Sequence, residues 1–225
     1  MKRVLFTTAD GSVTIHLPDW NEQYHSKHGA IAEAVHVFIE TGLKQWLIEN
    51  DSNQVSVLEI GFGTGLNAFL TSLEAANKRL NINYVGVEAY PVLEEEVVQL
   101  NYPSLLDVAE DTFLQLHHSA WETPSTINQY FCLTKRRQFF SEIQDTNRFD
   151  IIYFDAFGAR VQPELWTETV FKAMFDALKP NGLLVTYSAK GSVRRAMQAV
   201  GFLVERLPGP PGKREMLRAK KYIKE

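Results

Sequence analysis

The spacing of hydrophobic residues changes several times along the chain, and each change predicts a new element. From residue 30 to residue 49 apolar side chains recur at helical intervals, which predicts a helix despite the glycine at position 42. Residues 55–60 form a short β-branched apolar run, and residues 66–80 return to helical spacing. These segments predict a strand, a loop and a helix in succession.

The same unit then repeats. Residues 84–88 predict a second strand and residues 92–100 a second helix. Further strands are predicted at 130–133, 149–155 and 183–187. Because these runs are continuously hydrophobic, we expect parallel strands that are buried on both faces. The series predicts an α/β fold with a mostly parallel sheet.

The two ends of the chain have a different pattern. Residues 4–17 alternate around Asp10-Gly11, which predicts a β-hairpin. Residues 202–207 and 215–221 predict two closing strands on either side of a stiff Pro/Gly loop. We therefore expect one domain over 1–225, with an N-terminal hairpin extension in 1–20 and the catalytic fold in 21–225.

The composition limits the cellular compartment and the binding partners that we expect. Of the 225 residues 45% are hydrophobic, Cys132 is the single cysteine, and neither a signal peptide nor a membrane-spanning run is evident. We expect a cytoplasmic protein. The net charge of −4 is unevenly spread, because the segment from Lys190 onward carries +7 and residues 1–189 carry −11. The C-terminal segment is a candidate basic patch or, alternatively, merely a solvated tail.

A glycine-rich loop lies where the first strand becomes a helix. Gly61, Gly63 and Gly65 permit a tight turn and a close approach of a ligand to the backbone. The dinucleotide fingerprint needs Gly or Ala at the position that Leu66 occupies, which disfavours NAD. No Gly-Lys-Ser/Thr string follows, so a triphosphate has no cationic cradle.

Two acidic residues flank this loop. Glu59 would repel a diphosphate, but it suits a cationic ligand such as S-adenosylmethionine (SAM), which carries a sulfonium and an ammonium. Glu88 ends the second strand, where a carboxylate can accept both hydroxyls of a ribose. The pattern therefore predicts SAM as cofactor, and an NAD-binding oxidoreductase is the alternative from another class.

Several motifs together resemble the methyltransferase domain of MnmC-type tRNA-modifying enzymes. They lie in residues 24–33, 59–67, 155–157, 163–166, 187–195 and 201–217. The resemblance implies a Rossmann-like class I SAM-dependent methyltransferase with a mostly parallel seven-stranded sheet. It also implies N-methylation of the aminomethyl group of 5-aminomethyl-2-thiouridine, a modified wobble uridine in tRNA. The residues expected at the cofactor are Tyr24, Ser26, Glu59, Gly61, Phe62, Gly63, Gly65, Asn67, Glu88 and Asp155.

The sequence departs from this family in two respects. The family's methyltransferase usually precedes a flavin-dependent oxidase that makes the primary amine, and 225 residues leave no room for it. Separate enzymes are therefore expected to supply the amine. The third strand of such folds often ends in an acidic residue that helps to hold adenine, whereas Lys135 stands there in this chain. We expect backbone groups or apolar side chains to hold adenine instead.

The acceptor chemistry points to the end of the fourth strand. An aliphatic ammonium must lose a proton before its nitrogen can accept a methyl group, and Asp155 is the candidate catalytic group that orients the amine and takes the proton. Phe157 is a candidate to wall off the amine or to stack on the base. The alternatives are a turn or helix-cap role for Asp155 and an ordinary core position for Phe157. No metal site is expected, because no further ligand pattern surrounds His117-His118.

If RNA is the substrate, basic side chains should face its phosphates beside the acceptor pocket. The expected partner is the anticodon region of tRNA, and the alternative acceptor is a small amine or acid. The candidate contacts are Lys190, Arg194, Arg195, Lys213 and Arg214.

Overall fold

The computed structural model describes residues 2–222 and contains two sheets. A small N-terminal sheet has three strands: β1 (Val4–Thr7), β2 (Val13–Leu17) and β3 (Glu22–Gln23). The central sheet has eight: β4 (Gln54–Ile60), β5 (Asn81–Val87), β6 (Ser125–Asn128), β7 (Phe131–Arg136), β8 (Phe149–Phe154), β9 (Leu178–Thr186), β10 (Leu203–Pro208) and β11 (Glu215–Lys220).

The central sheet confirms the predicted α/β architecture. Its strands lie in the order β10-β11-β9-β8-β4-β5-β7-β6, and the five from β9 to β7 are parallel. β10 and β11 close one edge as the predicted antiparallel hairpin. The expected count of seven strands is wrong by one, because β6 adds an antiparallel edge strand. Only Ile127 is buried in β6, so its hydrophobic pattern is too weak to predict a strand.

Both faces of the sheet are covered, as the continuous apolar runs predict. In β4 the side chain of Val57 joins one apolar cluster and the next side chain, Leu58, joins the other. Successive residues of a strand point to opposite faces, so the two clusters lie on the two sides of the sheet. Each strand at the centre of the sheet therefore needs apolar residues at nearly every position.

The helices pack on these faces. Residues 30–49 form the continuous helix α1, whose middle section, Val35–Lys44, is a π-helix. A Cβ at Gly42 would lie 3.1 Å from Val185 and 3.2 Å from Tyr153, so the glycine lets this section approach the sheet closely. The remaining helices are α2 (Leu66–Lys78), α3 (Glu94–Val97), α4 (Tyr102–Leu105), α5 (Glu110–His118), α6 (Glu168–Ala177) and α7 (Gly191–Ala199).

The predicted N-terminal hairpin is present and is fixed to the main fold. β1 and β2 pair antiparallel around a turn in which Gly11 has a φ of +85°. The Asp10 carboxylate accepts hydrogen bonds from the Ser12 hydroxyl and from the backbone N–H of Ala32 in α1, the latter at 3.0 Å. β3 extends the hairpin beyond residue 20 into a third strand. The N-terminal sheet thereby leads directly into the segment that faces the site.

The order of the strands in the central sheet determines where the site lies. The chain leaves β4 in one direction and β8 in the other, and ligands of such folds bind in the crevice at the carboxyl ends of the strands where the order reverses. The glycine loop follows β4, and Asp155 follows the adjacent β8. The Asp155 N–H donates to the carbonyl oxygen of Ile60 at 2.9 Å. Within residues 2–222 no helix has the length and apolarity that crossing a membrane requires.

Candidate active site

The glycine loop approaches its neighbours so closely that side chains would not fit. Gly61, Gly63 and Gly65 all have positive φ, between +50° and +89°. A Cβ on Gly61 would lie 2.6 Å from the carbonyl oxygen of Asp155, and one on Gly63 would lie 3.2 Å from the Tyr24 ring. The loop therefore offers bare backbone at the crevice, as the sequence predicts.

Glu88 lies beside this backbone. Its carboxylate accepts hydrogen bonds from the N–H of Gly63 at 3.0 Å and from the N–H of Tyr90 at 2.9 Å. These two bonds fix the carboxylate at the carboxyl end of β5, and the residue remains partly exposed to the pocket. The position fits a group that accepts the hydroxyls of a ribose.

A buried polar chain connects the glycine loop with Asp155. The Asn67 side-chain amide donates to Glu59 Oε1 and to Asp155 Oδ2, both at 2.9 Å. Glu59 is completely buried, and burial raises its pKa well above the ordinary value. Among the described residues, Glu59 Oε2 and Asn67 Oδ1 have no hydrogen-bond partner. Asn67 lines the pocket whereas Glu59 does not, so the expected contact between Glu59 and the cofactor stays a prediction.

Asp155 is held in a state suited to proton transfer. Its pKa is raised to about 7, first by burial and then by the negative charge of Glu33, whereas the hydrogen bond from Asn67 and the positive charge of Lys213 lower it. A carboxyl group with a pKa near neutrality exchanges protons readily at physiological pH. Its alternative role as a helix cap does not apply, because α6 begins at Glu168 and is capped by Thr167.

A second group of side chains lies around Asp155. Lys213 forms an ion pair with the buried Glu33, and its ammonium lies 3.9 Å from the centre of the Tyr187 ring. Glu33 also accepts a hydrogen bond from the N–H of Ser26 at 2.7 Å. The Tyr187 hydroxyl donates to the carbonyl oxygen of Ala156 at 2.8 Å. Each charge next to Asp155 is therefore held in place by at least one further contact.

Most of these groups border one cavity of about 1390 Å³. Its donor side, where we expect the methyl donor, consists of the glycine loop, Asn67 and Glu88. Its acceptor side is formed around Asp155 by Trp20, Tyr24, Glu33, Phe157, Tyr187 and Lys213. Tyr24 lies between the two sides, because it contacts both Gly63 and Phe157.

Most of the predicted site residues come together in this cavity. The lining includes Tyr24, Ser26, Gly61, Phe62, Gly63, Asn67, Glu88, Asp155, Phe157, Lys190 and Lys213. Gly65 is buried behind it, where a Cβ would lie 2.9 Å from His117. Arg194, Arg195 and Arg214 are absent from the lining, and of these Arg195 and Arg214 are exposed.

Lys135 points away from the cavity. The residue is 1% exposed, and its ammonium donates to the carbonyl oxygen of His117 and lies 4.9 Å from the centre of the Trp121 ring. Burial lowers its pKa to about 8. The side chain is therefore held behind the glycine loop. That backbone groups or apolar side chains hold adenine stays a prediction.

Several cavity residues, Glu33 and Arg160 among them, escaped the sequence analysis as site residues, and three more show why. Trp20 lies in the connection between β2 and β3, His25 follows β3, and Tyr187 follows β9. Tyr187 had a usable signal, because it stands just after a parallel strand, at the edge where ligands bind. His25 is buried against Thr14, and burial lowers its pKa to about 4, so its ring is neutral at pH 7. Trp20 had no comparable signal.

The cavity fits SAM by the properties of its own residues. The loop presents backbone that a Cβ would block, Glu88 offers a carboxylate beside it, and Asn67 has an unsatisfied buried oxygen. Within residues 2–222 no group of three or more His, Cys, Asp or Glu side chains could hold a metal ion. His117 instead donates to the carbonyl oxygen of Thr64 at 3.1 Å, and His118 contacts Glu94.

Comparison with known proteins agrees with this geometry. Residues 113–222 match a family described as S-adenosyl-L-methionine-dependent methyltransferase. The tRNA 5-methylaminomethyl-2-thiouridine biosynthesis bifunctional protein MnmC of Cupriavidus necator is 30% identical over 214 residues, which are 88% of this chain and 32% of that protein. The same protein of Actinobacillus pleuropneumoniae serotype 5b is 29% identical over 90% of this chain and 33% of its own length. The chain thus spans about a third of these curated relatives.

Solved structures show the same fold. MnmC2 of Aquifex aeolicus superposes with a TM-score of 0.76 at 24% identity, and the match covers 98% of this chain and 70% of the other. Spermidine synthase of Thermotoga maritima matches with a TM-score of 0.51 at 13% identity over 99% of this chain and 73% of the other. The solved structures show the fold, while the family match over residues 113–222 and the curated relatives indicate a SAM-dependent methyltransferase that is similar to the methyltransferase part of the MnmC proteins.

Proposed function

We propose that the protein methylates the aminomethyl nitrogen of 5-aminomethyl-2-thiouridine at the wobble position of tRNA. The observation that carries this proposal is the Asp155 carboxyl group, which lines the acceptor side of the pocket, accepts a hydrogen bond from Asn67 at 2.9 Å and has a pKa raised to about 7. The names of the curated relatives support tRNA as the substrate. Such a substrate would place the reaction in the cytoplasm.

The residues around Asp155 suit the chemistry of an amine. When bound, SAM supplies a methyl group on a positively charged sulfur, and an acceptor nitrogen needs a free lone pair to receive it. A primary aliphatic amine is mostly protonated near pH 7. The Asp155 carboxylate attracts this ammonium and accepts its proton, and Asn67 keeps the carboxylate oriented toward the pocket. The remaining contribution is positioning, since the acceptor must lie in line with the donor.

The exposed cations beside the pocket suit an RNA substrate. Lys190 lies at the pocket, and Arg195 and Arg214 are exposed on the same C-terminal portion of the chain. Lys213 was predicted to face phosphate, but it is engaged by Glu33 inside the pocket. We therefore assign phosphate contacts to Lys190, Arg195 and Arg214, and we assign Lys213 to the acceptor side.

The decisive experiment is methyl transfer to tRNA from a strain in which the corresponding gene is deleted. Purified protein and radiolabelled SAM should label this tRNA, and nucleoside mass spectrometry should show 5-aminomethyl-2-thiouridine gaining one methyl group. The Asp155→Asn protein should label the tRNA at least about 10²-fold more slowly. Label that enters spermidine but not tRNA would instead establish the small-amine alternative. Thermal stabilisation by NAD, and not by SAM or S-adenosylhomocysteine, would contradict a methyltransferase altogether.

A further inference from the structure

Three aromatic rings meet on the acceptor side of the pocket. Phe157, two residues after Asp155, contacts Trp20 and Tyr24 edge to face, with ring centroids 5.9 Å and 5.0 Å apart. All three residues line the cavity and are only partly buried. The carbonyl oxygen of Phe157 accepts a hydrogen bond from the Trp166 indole at 2.7 Å, so the backbone of Phe157 is fixed as well.

Trp20 lies outside the central sheet, and Arg160 forms hydrogen bonds with the backbone around it. It ends the short 3-10 helix Pro18–Trp20, which connects β2 with β3. Arg160, in the loop after β8, donates to the carbonyl oxygens of Trp20 at 3.3 Å and Asn21 at 2.7 Å and pairs with Glu22 at 3.1 Å. The acceptor loop thereby clamps the N-terminal sheet at the edge of the pocket.

The chemistry of this wall indicates a flat ligand. Partly exposed aromatic rings in a pocket offer a large apolar area to a partner, and a nucleobase stacks on such a surface whatever its sequence context. An aliphatic polyamine would also be attracted to aromatic faces. However, the Lys213 ammonium already lies over the nearby Tyr187 ring, and this fixed cation disfavours a second, multiply charged chain.

We propose that Trp20 is a specificity-determining residue of the acceptor site. Carried by the N-terminal sheet and positioned by Arg160, it forms with Phe157 the wall on which the base that bears the acceptor amine stacks. This inference rests on the function proposed above, because it presumes that the amine is attached to a planar heterocycle. The N-terminal sheet is then part of the acceptor site and not only an appendage.

The test measures steady-state methylation of tRNA and binding of SAM in parallel. Trp20→Ala should raise the KM for tRNA by about 5-fold to 100-fold, the loss expected of one base–aromatic stack, and should leave the SAM Kd within about 2-fold. Trp20→Phe should restore most of the affinity. Arg160→Ala should reproduce part of the defect. Trp121→Phe is the matched control, because Trp121 lies over Lys135 behind the glycine loop.

Tryptophan fluorescence gives a second readout that does not need turnover. An anticodon stem-loop RNA should quench the wild-type protein and Trp121→Phe, and the quenching should be reduced in Trp20→Phe, which keeps an aromatic ring for folding. An unchanged KM in Trp20→Ala together with unchanged quenching in Trp20→Phe would overturn the inference while leaving the proposed function intact. A defect confined to spermidine methylation would also overturn it. A wild-type protein that methylates no tRNA would refute the proposed function itself.

Discussion

The donor side of the pocket is built from backbone, whereas the acceptor side is built from side chains. The donor side comes from one continuous strand, loop and helix, with Glu88 added from the next strand. The acceptor side combines five separate segments of the chain, represented by Trp20, Glu33, Asp155, Tyr187 and Lys213. A shared cofactor needs the first arrangement in every such enzyme, while the second can be changed one segment at a time to suit another substrate.

The comparison separates two kinds of sensitivity. On the donor side a single added carbon is harmful because it meets backbone that cannot move. On the acceptor side the removal of a single charge is harmful, because each charged group influences the pKa values of its neighbours. The predictions that follow test this division.

The largest effect is expected at Asp155. Asp155→Asn keeps the shape of the side chain but cannot accept the proton of the amine, so methyl transfer should fall by about 10²-fold to 10⁴-fold. The SAM Kd should change by no more than a few-fold, because the substitution lies on the acceptor side. Single-turnover transfer and titration calorimetry measure the two quantities. Asp176→Asn, on the solvent-facing side of α6, is the control, and equal losses in both variants would refute the role of Asp155.

The same substitution should stabilise the fold at neutral and alkaline pH. The pKa of Asp155 rises from an ordinary 3.8 to about 7 on folding, so the folded state binds the proton more tightly than the unfolded state does. Stability is then lost as pH rises between these values, by at most about 4 kcal/mol. Asp155→Asn removes this loss, so its Tm should exceed that of the wild type at pH 8 and approach it below pH 4. A wild type that is more stable than the variant at pH 8 would contradict this account.

Gly61→Ala tests the backbone side. Alanine at this position would have to adopt a φ of +89°, and its Cβ would lie 2.6 Å from the carbonyl oxygen of Asp155. We expect SAM affinity to fall by at least about 10-fold, together with a loss of about 1–3 kcal/mol of stability. Gly11→Ala is a matched control, because Gly11 has a φ of +85° but its nearest neighbour would be 3.7 Å away. If both variants lose equal stability, the close contact contributes nothing beyond the backbone strain.

The charges around Asp155 should shift the pH profile in opposite directions. Activity requires the ionised carboxylate, so kcat/KM should rise with pH through the pKa of Asp155. Lys213→Met removes a charge that lowers this pKa, and the acidic limb should move to higher pH. Glu33→Gln removes a charge that raises it, and the limb should move to lower pH. Movement of both variants in the same direction would show that they act through general destabilisation.

The smallest effect is expected at the exposed cations. Arg195→Ala and Arg214→Ala should each reduce the dependence of log Kd for tRNA on log salt concentration by about 1 if each contacts one phosphate. SAM binding should not change. Lys78→Ala, at the end of α2, provides the comparison. A salt dependence identical to that of the wild type in both arginine variants would remove them from the RNA interface.

The donor side could be predicted from sequence because it is local. The glycines, Glu88 and the strands that position them are encoded in contiguous patterns, and their positions follow from the βαβ order. The π-helical section of α1 was not predictable, because its spacing differs little from that of an α-helix over a few turns. β6 was missed because a short and polar edge strand lacks a hydrophobic signal.

The acceptor side depends on contacts that a local pattern does not contain. Lys213 looked like a surface cation, but its loop folds back and brings it to Glu33, 180 residues earlier in the chain. Trp20 stands in a short connection whose backbone is held by Arg160, and its ring lies against Phe157. Asp155 itself was predictable from its strand end, whereas the causes of its raised pKa come from distant segments.

The shared amide of Asn67 has a thermodynamic consequence. The same amide nitrogen of Asn67 donates hydrogen bonds to Glu59 and Asp155. A ligand that forms a hydrogen bond with Asn67 therefore changes the proton affinity of Asp155. Reciprocity then requires that protonation of Asp155 alter the affinity for that ligand by an equal factor. Binding of the two substrates is thus coupled through Asn67 in addition to their direct contact, and the coupling should vary with pH.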